Sequence, residues 1–345
     1  MYAPMITETT WLKLANKHYG GAGSRPRRCT LVAATPARMS ELRRWLSDDV
    51  VGSRFMPGFV TVPALEWPVY EARWSRPTTG VRLTVLAEPG PGRLASAERF
   101  VRDELLPALL STVAMLRSYS EAWRRPDVDV YYVDTTTHDR RLPLSPGSPV
   151  MPEHINGGVT MHVTGRVLVY RREDAGKVLL HELLHLHGLD RALQLGHPSI
   201  ERRLRAEFGV VAVDPTCPLG IYEAYTETMA CYLRAIWVAH ARGNKSPASA
   251  LRRVASQVMT IADRTTAHFG GTLAYVEGTH CFAYVACRAA LWRPPYLDRM
   301  LAAYPPGRPP SDAEAFAAFL TEALRAYAAS LKADRRRPEA LGLNR

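Results

Sequence analysis

The sequence lacks the features that place a protein in or across a membrane. Among its 345 residues, no run of about 18 or more is continuously apolar, so no membrane-spanning helix is expected. The most apolar candidate, residues 105–116, is interrupted by Pro107, Ser111 and Thr112. The N-terminus also lacks the basic start and apolar core of a secretory signal. We therefore expect neither a membrane span nor secretion.

Cysteine is scarce as well. The five cysteines are odd in number and no two of them form a CxxC pair; they are Cys29, Cys217, Cys231, Cys281 and Cys287. This pattern fits reduced thiols better than a disulfide framework. A cytoplasmic location is therefore expected.

The composition is that of a basic globular protein. Hydrophobic residues make up 47% of the chain and charged residues 22%, enough for a sizeable core in one large domain or two lobes. The net charge of +11 could indicate binding to nucleic acid, to an anionic membrane or to acidic partners. However, the arginines are scattered, without the interleaved aromatic residues of an RNA-binding sheet. The charge therefore indicates a solvated surface, and no motif supports nucleic-acid binding.

Residues 1–95 are the hardest part to interpret, because Pro and Gly interrupt them repeatedly. We interpret them as a mixed N-terminal module of unclear role, followed by a main domain at 96–334 and a basic tail at 335–345. Short patterns in the module predict a helix at 37–46 and strands at 29–33, 59–62 and 81–86.

In the main domain, hydrophobic periodicity predicts a small sheet between helices. A long helix at 96–123 precedes a half-buried strand at 127–134. Two further strands, at 155–163 and 166–170, are joined by a turn at Thr164-Gly165. Helices are then predicted at 219–242, 248–269, 272–291 and 313–333. The fold class is α+β and mostly helical, with a small sheet, a central helix and a C-terminal helical lobe.

The central helix carries an HExxH pattern made of His181, Glu182 and His185. Positions four apart lie on one helix face, so both imidazoles can bind one Zn²⁺ while Glu182 reaches a water on that ion. The flanking valines and leucines predict a buried helix, in which unpaired polar groups cost on the order of a few kcal/mol each. Metal ligation would satisfy them. The alternative is an ordinary, partly exposed face, since HExxH also occurs by chance.

A catalytic zinc normally has a third protein ligand and leaves one position for water. Glu223 and Glu227 lie one turn apart on the predicted helix 219–242. We expect Glu223 to be the third ligand and Glu227 to accept the outer N–H of His181 or His185, which fixes the tautomer of that imidazole.

A competing layout is the extended HExxHxxGxxH pattern, whose glycine would be Gly188. Its third ligand would be Arg191, a permanent cation that cannot bind zinc. Asp190, His187 and His197 are the remaining alternatives.

HExxH followed by a helix bearing Glu-Ala-x-x-Glu resembles the gluzincin metallopeptidases, the thermolysin-like clan. A longer series is similar to zinc metallopeptidases encoded by large DNA viruses, a mostly uncharacterised family, and covers roughly residues 128–292. That series joins Asp129–Val133, 155–160, Val167–Asp174, Lys177–His185, Glu223–Glu227 and Glu277–Tyr284. The resemblance implies a zincin-like catalytic core, zinc-dependent peptide hydrolysis and a cytoplasmic or virion-associated setting.

The chain departs from the thermolysin pattern in one respect. His185 and Glu223 are 38 positions apart, about twice the gap of that pattern. An insertion at about 190–218 must house the difference.

The resemblance also suggests where a substrate would bind. In gluzincins a sheet edge beside the zinc helix holds the peptide by strand pairing, and Asn156, Gly157 and Gly158 match that location. Glycines let a substrate backbone approach closely, although a bulge or turn would explain them equally well.

A zinc peptidase needs a donor to the oxyanion of its tetrahedral intermediate. The candidates are His280 and Tyr284, one turn apart on the predicted helix 272–291. Tyr222 and Tyr225 are alternatives, and a buried structural histidine is the other explanation of His280.

The sequence thus predicts hydrolysis of a peptide or protein substrate. His181, His185 and Glu223 would bind Zn²⁺, and Glu182 would serve as the general base. The alternative is a non-catalytic basic structural or virion-associated protein that retains a zinc site and binds nucleic acid through its charge. An intact Glu182 argues against it, because a purely structural zinc does not need that carboxylate.

Overall fold

The computed structural model describes residues 29–50, 56–74, 80–119, 127–135, 142–194, 197–241, 247–305 and 308–340. A six-stranded mixed sheet runs through these residues in the order β1–β2–β3–β4–β6–β5. Its strands are β1 (Cys29–Ala33), β2 (Val69–Trp74), β3 (Val81–Ala87), β4 (Val128–Asp134), β5 (Gly158–Met161) and β6 (Arg166–Val169). A separate pair of short strands joins β7 (Val211–Ala212) to β8 (Val276–Glu277).

Most of the described chain is helical, so the predicted α+β, mostly helical class is confirmed. In the described ranges, three short π-helical turns adjoin the α-helices: Leu46–Val50, Val101–Leu105 and Phe282–Cys287. The α-helices are α1 (Pro36–Trp45), α2 (Gly58–Glu66), α3 (Arg93–Phe100), α4 (Leu106–Tyr119), α5 (Pro152–Ile155), α6 (Ala175–Leu186), α7 (Arg191–Gln194), α8 (Pro198–Phe208), α9 (Ile221–Ala241), α10 (Ala248–His268), α11 (Arg288–Trp292), α12 (Tyr296–Ala303) and α13 (Ala313–Ala340). Within the described ranges, no helix is both long and apolar enough to cross a bilayer.

The middle of the sheet is parallel and covered on both faces. β3, β4 and β6 run parallel to one another, whereas β1, β2 and β5 pair antiparallel to their neighbours. One face packs against α4, α6 and the helical lobe, and the other against α1 and α2. Parallel strands covered in this way are mostly apolar.

The prediction of a half-buried β4 is wrong, because all of its residues are buried. Its charged residues are tolerated since each has partners. Asp129 accepts from Arg38 at 2.6 Å and from the Tyr131 hydroxyl at 2.8 Å, and Asp134 accepts from the Tyr132 hydroxyl at 2.6 Å.

Residues 59–62, predicted as a strand, lie in helix α2. β-branched residues favour strands, but a short apolar run is ambiguous, and tertiary packing decides between the two. Val60 is fully buried in the cluster that covers the α1 and α2 face of the sheet, and the ring of Phe59 lies 6.2 Å from that of Tyr170.

The helix predicted at 272–291 begins only at Cys281, directly after His280. Gly270 and Gly271 have positive φ and end the preceding segment, and Val276–Glu277 then pairs with β7. Glu277 accepts a hydrogen bond from the backbone N–H of Phe282 at 2.7 Å, which fixes the start of the helix.

The six-stranded sheet contains strands from both sides of the domain boundary predicted at residue 95. β1, β2 and β3 come from the N-terminal part and pair in one sheet with β4, β6 and β5. The predicted helix 96–123 is found over α3, the π-helical turn and α4; its last residues lie outside the described ranges. Side chains of the predicted tail also lie outside them, although α13 is assigned as far as Ala340.

Candidate metal centre

Helix α6 presents the HExxH residues to the interior. His181, Glu182 and His185 are 5–6% exposed, and the helix packs against β5, β6, α4 and α9. Its remaining face is formed by leucines and valines of the main core. The periodicity of the motif therefore directs both imidazoles towards α9.

Helix α9 starts at a glycine that no other residue could replace without strain. Gly220 has φ +72°, and a Cβ atom there would lie 2.8 Å from Nδ1 of His280. The carboxylate of Glu201 accepts from the backbone N–H groups of Leu219 and Gly220, at 3.1 and 3.2 Å. These contacts set the first turn, which carries Glu223 to the two histidines.

Three buried ligand atoms converge between α6 and α9. Nε2 of His181 lies 2.9 Å from Nε2 of His185, and Oε2 of Glu223 lies 3.0 and 3.1 Å from those two nitrogens. Ligands bound to one ion at about 2.0–2.1 Å are separated by distances of this order. The group could therefore hold a metal ion.

The outer nitrogens of the imidazoles explain why a cation fits here. Nδ1 of His181 lies 3.1 Å from Oε2 of Glu227, and Nδ1 of His185 lies 2.5 Å from Oδ2 of Asp190. An ionised carboxylate only accepts hydrogen bonds, so each Nδ1 carries a proton, and in the neutral imidazole each Nε2 keeps a lone pair. Two such lone pairs and the Glu223 carboxylate would repel one another in this buried space, and a cation would relieve that repulsion.

The same charges set the proton affinities of the cluster. Burial raises the pKa of Glu223, but the two imidazoles outweigh it and hold the value well below normal. Burial lowers the pKa of His185, but the carboxylates of Asp190 and Glu223 outweigh burial, so the pKa lies well above its normal value. A proton would therefore compete with a metal ion for this electron-rich position.

Two cations hold Glu227 in place beneath His181. Lys177 Nζ lies 2.9 Å from Oε1 of Glu227, and Nη1 of Arg288 contacts the same oxygen. Burial raises the pKa of Glu227, but Lys177 and Arg288 outweigh it, so the pKa lies well below normal. Neither Lys177 nor Arg288 was expected from the sequence, because no motif marks either of them.

Asp190 has a role that sequence reasoning missed. It was an alternative ligand, but its carboxylate binds the back of His185 and also accepts from Gln194 Nε2 at 2.9 Å and Thr226 Oγ1 at 3.3 Å. Gly188, with φ +69°, reverses the chain between His185 and Asp190. The sequence signal for this role was the position of Asp190, an acidic residue two positions after the glycine that ends helix α6.

The other alternative ligands lie away from the three ligand atoms. Nδ1 of His187 contacts the carbonyl of Leu183 at 2.8 Å, and Nε2 of His197 lies 3.4 Å from the carbonyl of Ala192. The long gap between His185 and Glu223 houses α7, α8 and β7.

Glu182 is not one of the three ligand residues, although its carboxylate is close enough to interact electrostatically with His181, His185 and Glu223. Its Oε2 accepts from the hydroxyl of Thr160 on β5 at 2.7 Å, and burial raises its pKa. Glu182 and His181 line a cavity of about 940 Å³ between α6, α9, α10 and the segment that leads into β5. Space for a ligand thus adjoins a carboxylate that is not part of the ligand group.

The candidate oxyanion donors surround this group. The ring of Tyr284 lies 5.7 Å from that of His181 and 6.0 Å from that of His280, and Tyr222 lies 5.9 Å from His185. Nδ1 of His280 lies 3.0 Å from the carbonyl of Pro218. Among these residues, Tyr284 lines the cavity.

The remaining alternative donor, Tyr225, is fully buried and packs against Phe316 at 6.0 Å. It belongs to the hydrophobic core of the helical lobe.

Asn156, Gly157 and Gly158 all line the cavity, at the start of edge strand β5. Asn156 has structural contacts, since its Oδ1 accepts from Thr279 Oγ1 at 2.9 Å. At Gly158 an added Cβ would lie 2.9 Å from Cγ of Glu182 and 2.8 Å from a Val178 methyl. The group that comes close to Gly158 is therefore helix α6, and its missing side chain accommodates Glu182.

Comparison with known proteins gives no match: no protein-family model, no curated protein and no solved structure is significantly similar to this chain. The resemblance to gluzincins consequently remains a prediction.

Proposed function

We propose that the protein is a zinc-dependent metallopeptidase with a zincin-like core. The observation that carries the proposal is the convergence of His181 Nε2, His185 Nε2 and Glu223 Oε2, with Glu182 next to them at the wall of a large cavity. Two histidines and one carboxylate form a ligand set that catalytic zinc sites use. Zinc bound there would polarise the scissile carbonyl and make water more acidic.

Access to the cavity favours a catalytic over a structural metal. Structural zinc sites have four protein ligands and are closed, whereas catalytic sites keep one position open. Here the group supplies three ligand atoms, and His181 faces the cavity. The carboxylate of Glu182 would accept a proton from the attacking water and pass that proton to the leaving amine. Thr160 orients that carboxylate through the bond to Oε2.

The edge of the sheet supports a peptide as the substrate. β5 pairs with β6 on one side and ends the strand order, so its other edge can pair with an extended chain. Thr160, the third residue of β5, contacts Glu182. A peptide paired with β5 would therefore lie alongside the general base. Tyr284, at the cavity wall, would donate to the oxyanion.

The proposal is tested by metal content and hydrolysis measured on the same preparations. We expect about one zinc per chain in the native protein and in Glu182→Gln, and none in Glu223→Ala. Both variants should lose cleavage of a mixed peptide library. Glu173→Gln, which alters another cavity-lining carboxylate, should keep zinc and activity. Full zinc content in Glu223→Ala, or full activity in Glu182→Gln, would overturn the proposal.

A further inference from the structure

One wall of the cavity is formed by a single face of helix α10. It carries Arg253, Gln257, Thr260, Ile261 and Arg264, which are all exposed and line the cavity. Arg253 and Arg264 are three helical turns apart, so they lie on the same face at a separation of about 16 Å along the axis. We call these five residues the α10 wall.

The two arginines stand out among the charged groups of the cavity. The carboxylates of Asp174 and Glu173 have cations within 3.7 and 3.9 Å, and Glu227 has Lys177 at 2.9 Å. By contrast, Arg253 and Arg264 have no carboxylate within salt-bridge distance among the described residues. The positive charge of the α10 wall is therefore available to a ligand.

Between the arginines lies an exposed aliphatic side chain. Ile261 is 45% exposed, one of the few large hydrophobic side chains in the described chain with that exposure. The deeper lining behind it is also apolar and includes Val178, Val254, Val258 and Val285. A ligand that fits this wall has acidic groups towards its ends and an apolar group between them.

We propose that the α10 wall selects peptides carrying acidic side chains on both sides of an aliphatic residue. An extended peptide rises about 3.3 Å per residue, so the separation of the arginines corresponds to about five residues. This inference rests on the proposed peptidase function and specifies its substrate class. Guanidinium groups bind carboxylates through paired N–H donors, which gives geometric selectivity as well as charge.

Nucleic acid is the competing anionic ligand, and the cavity suits it less well. Single-stranded nucleic acid is bound by aromatic side chains on which the bases stack. Among the lining residues that the structure describes, Tyr284 has the single phenol or indole ring, and it packs beside His181. The aliphatic inner lining suits a peptide side chain better.

Binding is measured in the full-length Glu182→Gln protein, so that no peptide is consumed. The probes are a fluorescent peptide of about ten residues, with two Glu about five positions apart around a Leu, and its twin with Gln at both positions. We expect the Glu peptide to bind up to roughly tenfold more tightly, because an exposed ion pair contributes up to about fivefold and the free energies of two distant pairs add.

Arg253→Gln with Arg264→Gln should reduce binding of the Glu peptide to the level of its twin. Arg252→Gln is the matched control, since Arg252 is an exposed arginine of the same helix that does not line the cavity. Equal affinity for the two peptides would overturn the inference. Tighter binding of a short DNA oligonucleotide, lost in the same double variant, would overturn it in favour of nucleic acid.

Cleavage by the native protein separates this inference from the proposed function. Acidic preference in binding without cleavage of any peptide would refute the peptidase and leave the selectivity of the wall intact. Cleavage of both peptides with equal kcat/KM would refute the selectivity and support the peptidase.

Discussion

Asp190 offers the sharpest test of the candidate metal centre, because it is not one of the three candidate ligands but holds one of them, His185. Its carboxylate is fully buried and lies 2.5 Å from Nδ1 of His185. Asp190→Asn keeps the shape but removes the negative charge that fixes the imidazole and makes it more basic. Loss of such an outer partner costs about 10–100-fold in metal affinity, equivalent to about 1.4–2.7 kcal/mol. Because the site is buried, water does not replace the lost contact.

The assay is a competition titration against a zinc chelator, run on the native protein and two variants. Asp129→Asn is the control: Asp129 is also buried and hydrogen-bonded, but it lies on the sheet face covered by α1, opposite α6. We expect Asp129→Asn to lower the free energy of unfolding and leave zinc affinity unchanged. Unchanged zinc affinity in Asp190→Asn, or an equal loss in Asp129→Asn, would refute the role of Asp190.

Two further variants test other parts of the structure. Gly158→Ala should lower the free energy of unfolding by about 1–3 kcal/mol and reduce hydrolysis more than zinc content, because the new Cβ would lie 2.9 Å from Cγ of Glu182. Gly58→Ala, with no atom within 4 Å of the new Cβ, is the control. Equal activities of the two variants would contradict the expectation. Burial raises the pKa of Glu277 from 4.5 to about 8. The native state therefore keeps a proton that the unfolded chain loses, so unfolding free energy should fall by on the order of a few kcal/mol as pH rises from about 5 to 8. Glu277→Gln should remove that part of the slope in urea titrations at pH 5 and 8.5, and an unchanged slope would count against it.

The parts of the site that the sequence revealed are those governed by helical period. His181 and His185 share a face because they are four apart, and Glu223 and Glu227 because they are four apart on α9. Periodicity does not show which helices pack together. The expectation that Glu223 meets the two histidines across 38 positions rested on the need of a catalytic zinc for a third ligand, and on the resemblance. Glu227 was expected to accept the outer N–H of one of the two histidines, and its Oε2 lies 3.1 Å from Nδ1 of His181.

What the sequence missed depends on tertiary contacts. The partners of Glu227 come from Lys177 on α6 and from Arg288, 61 positions after Glu227. The apolar run at 59–62 had the composition of a strand, and packing under the sheet made it a helix. The predicted start of helix 272–291 was too early, because Val276–Glu277 pairs with β7, and the Glu277 carboxylate then accepts the backbone N–H of Phe282 in the first turn of the helix.

The segment between His185 and Glu223 has a consequence for how the chain tolerates change in length. Its helix α8 supplies Glu201, whose two oxygens hold the backbone N–H groups of Leu219 and Gly220. From the same helix, Arg205 reaches the carbonyl of Cys217 at 3.1 Å and the carboxylate of Glu277 at 3.5 Å. Through these contacts, α8 links the start of α9 to β8, the strand that precedes His280. Shortening this segment would remove the contacts of Glu201 with the residues just before α9, so we expect the position of Glu223 to depend on the length of the segment.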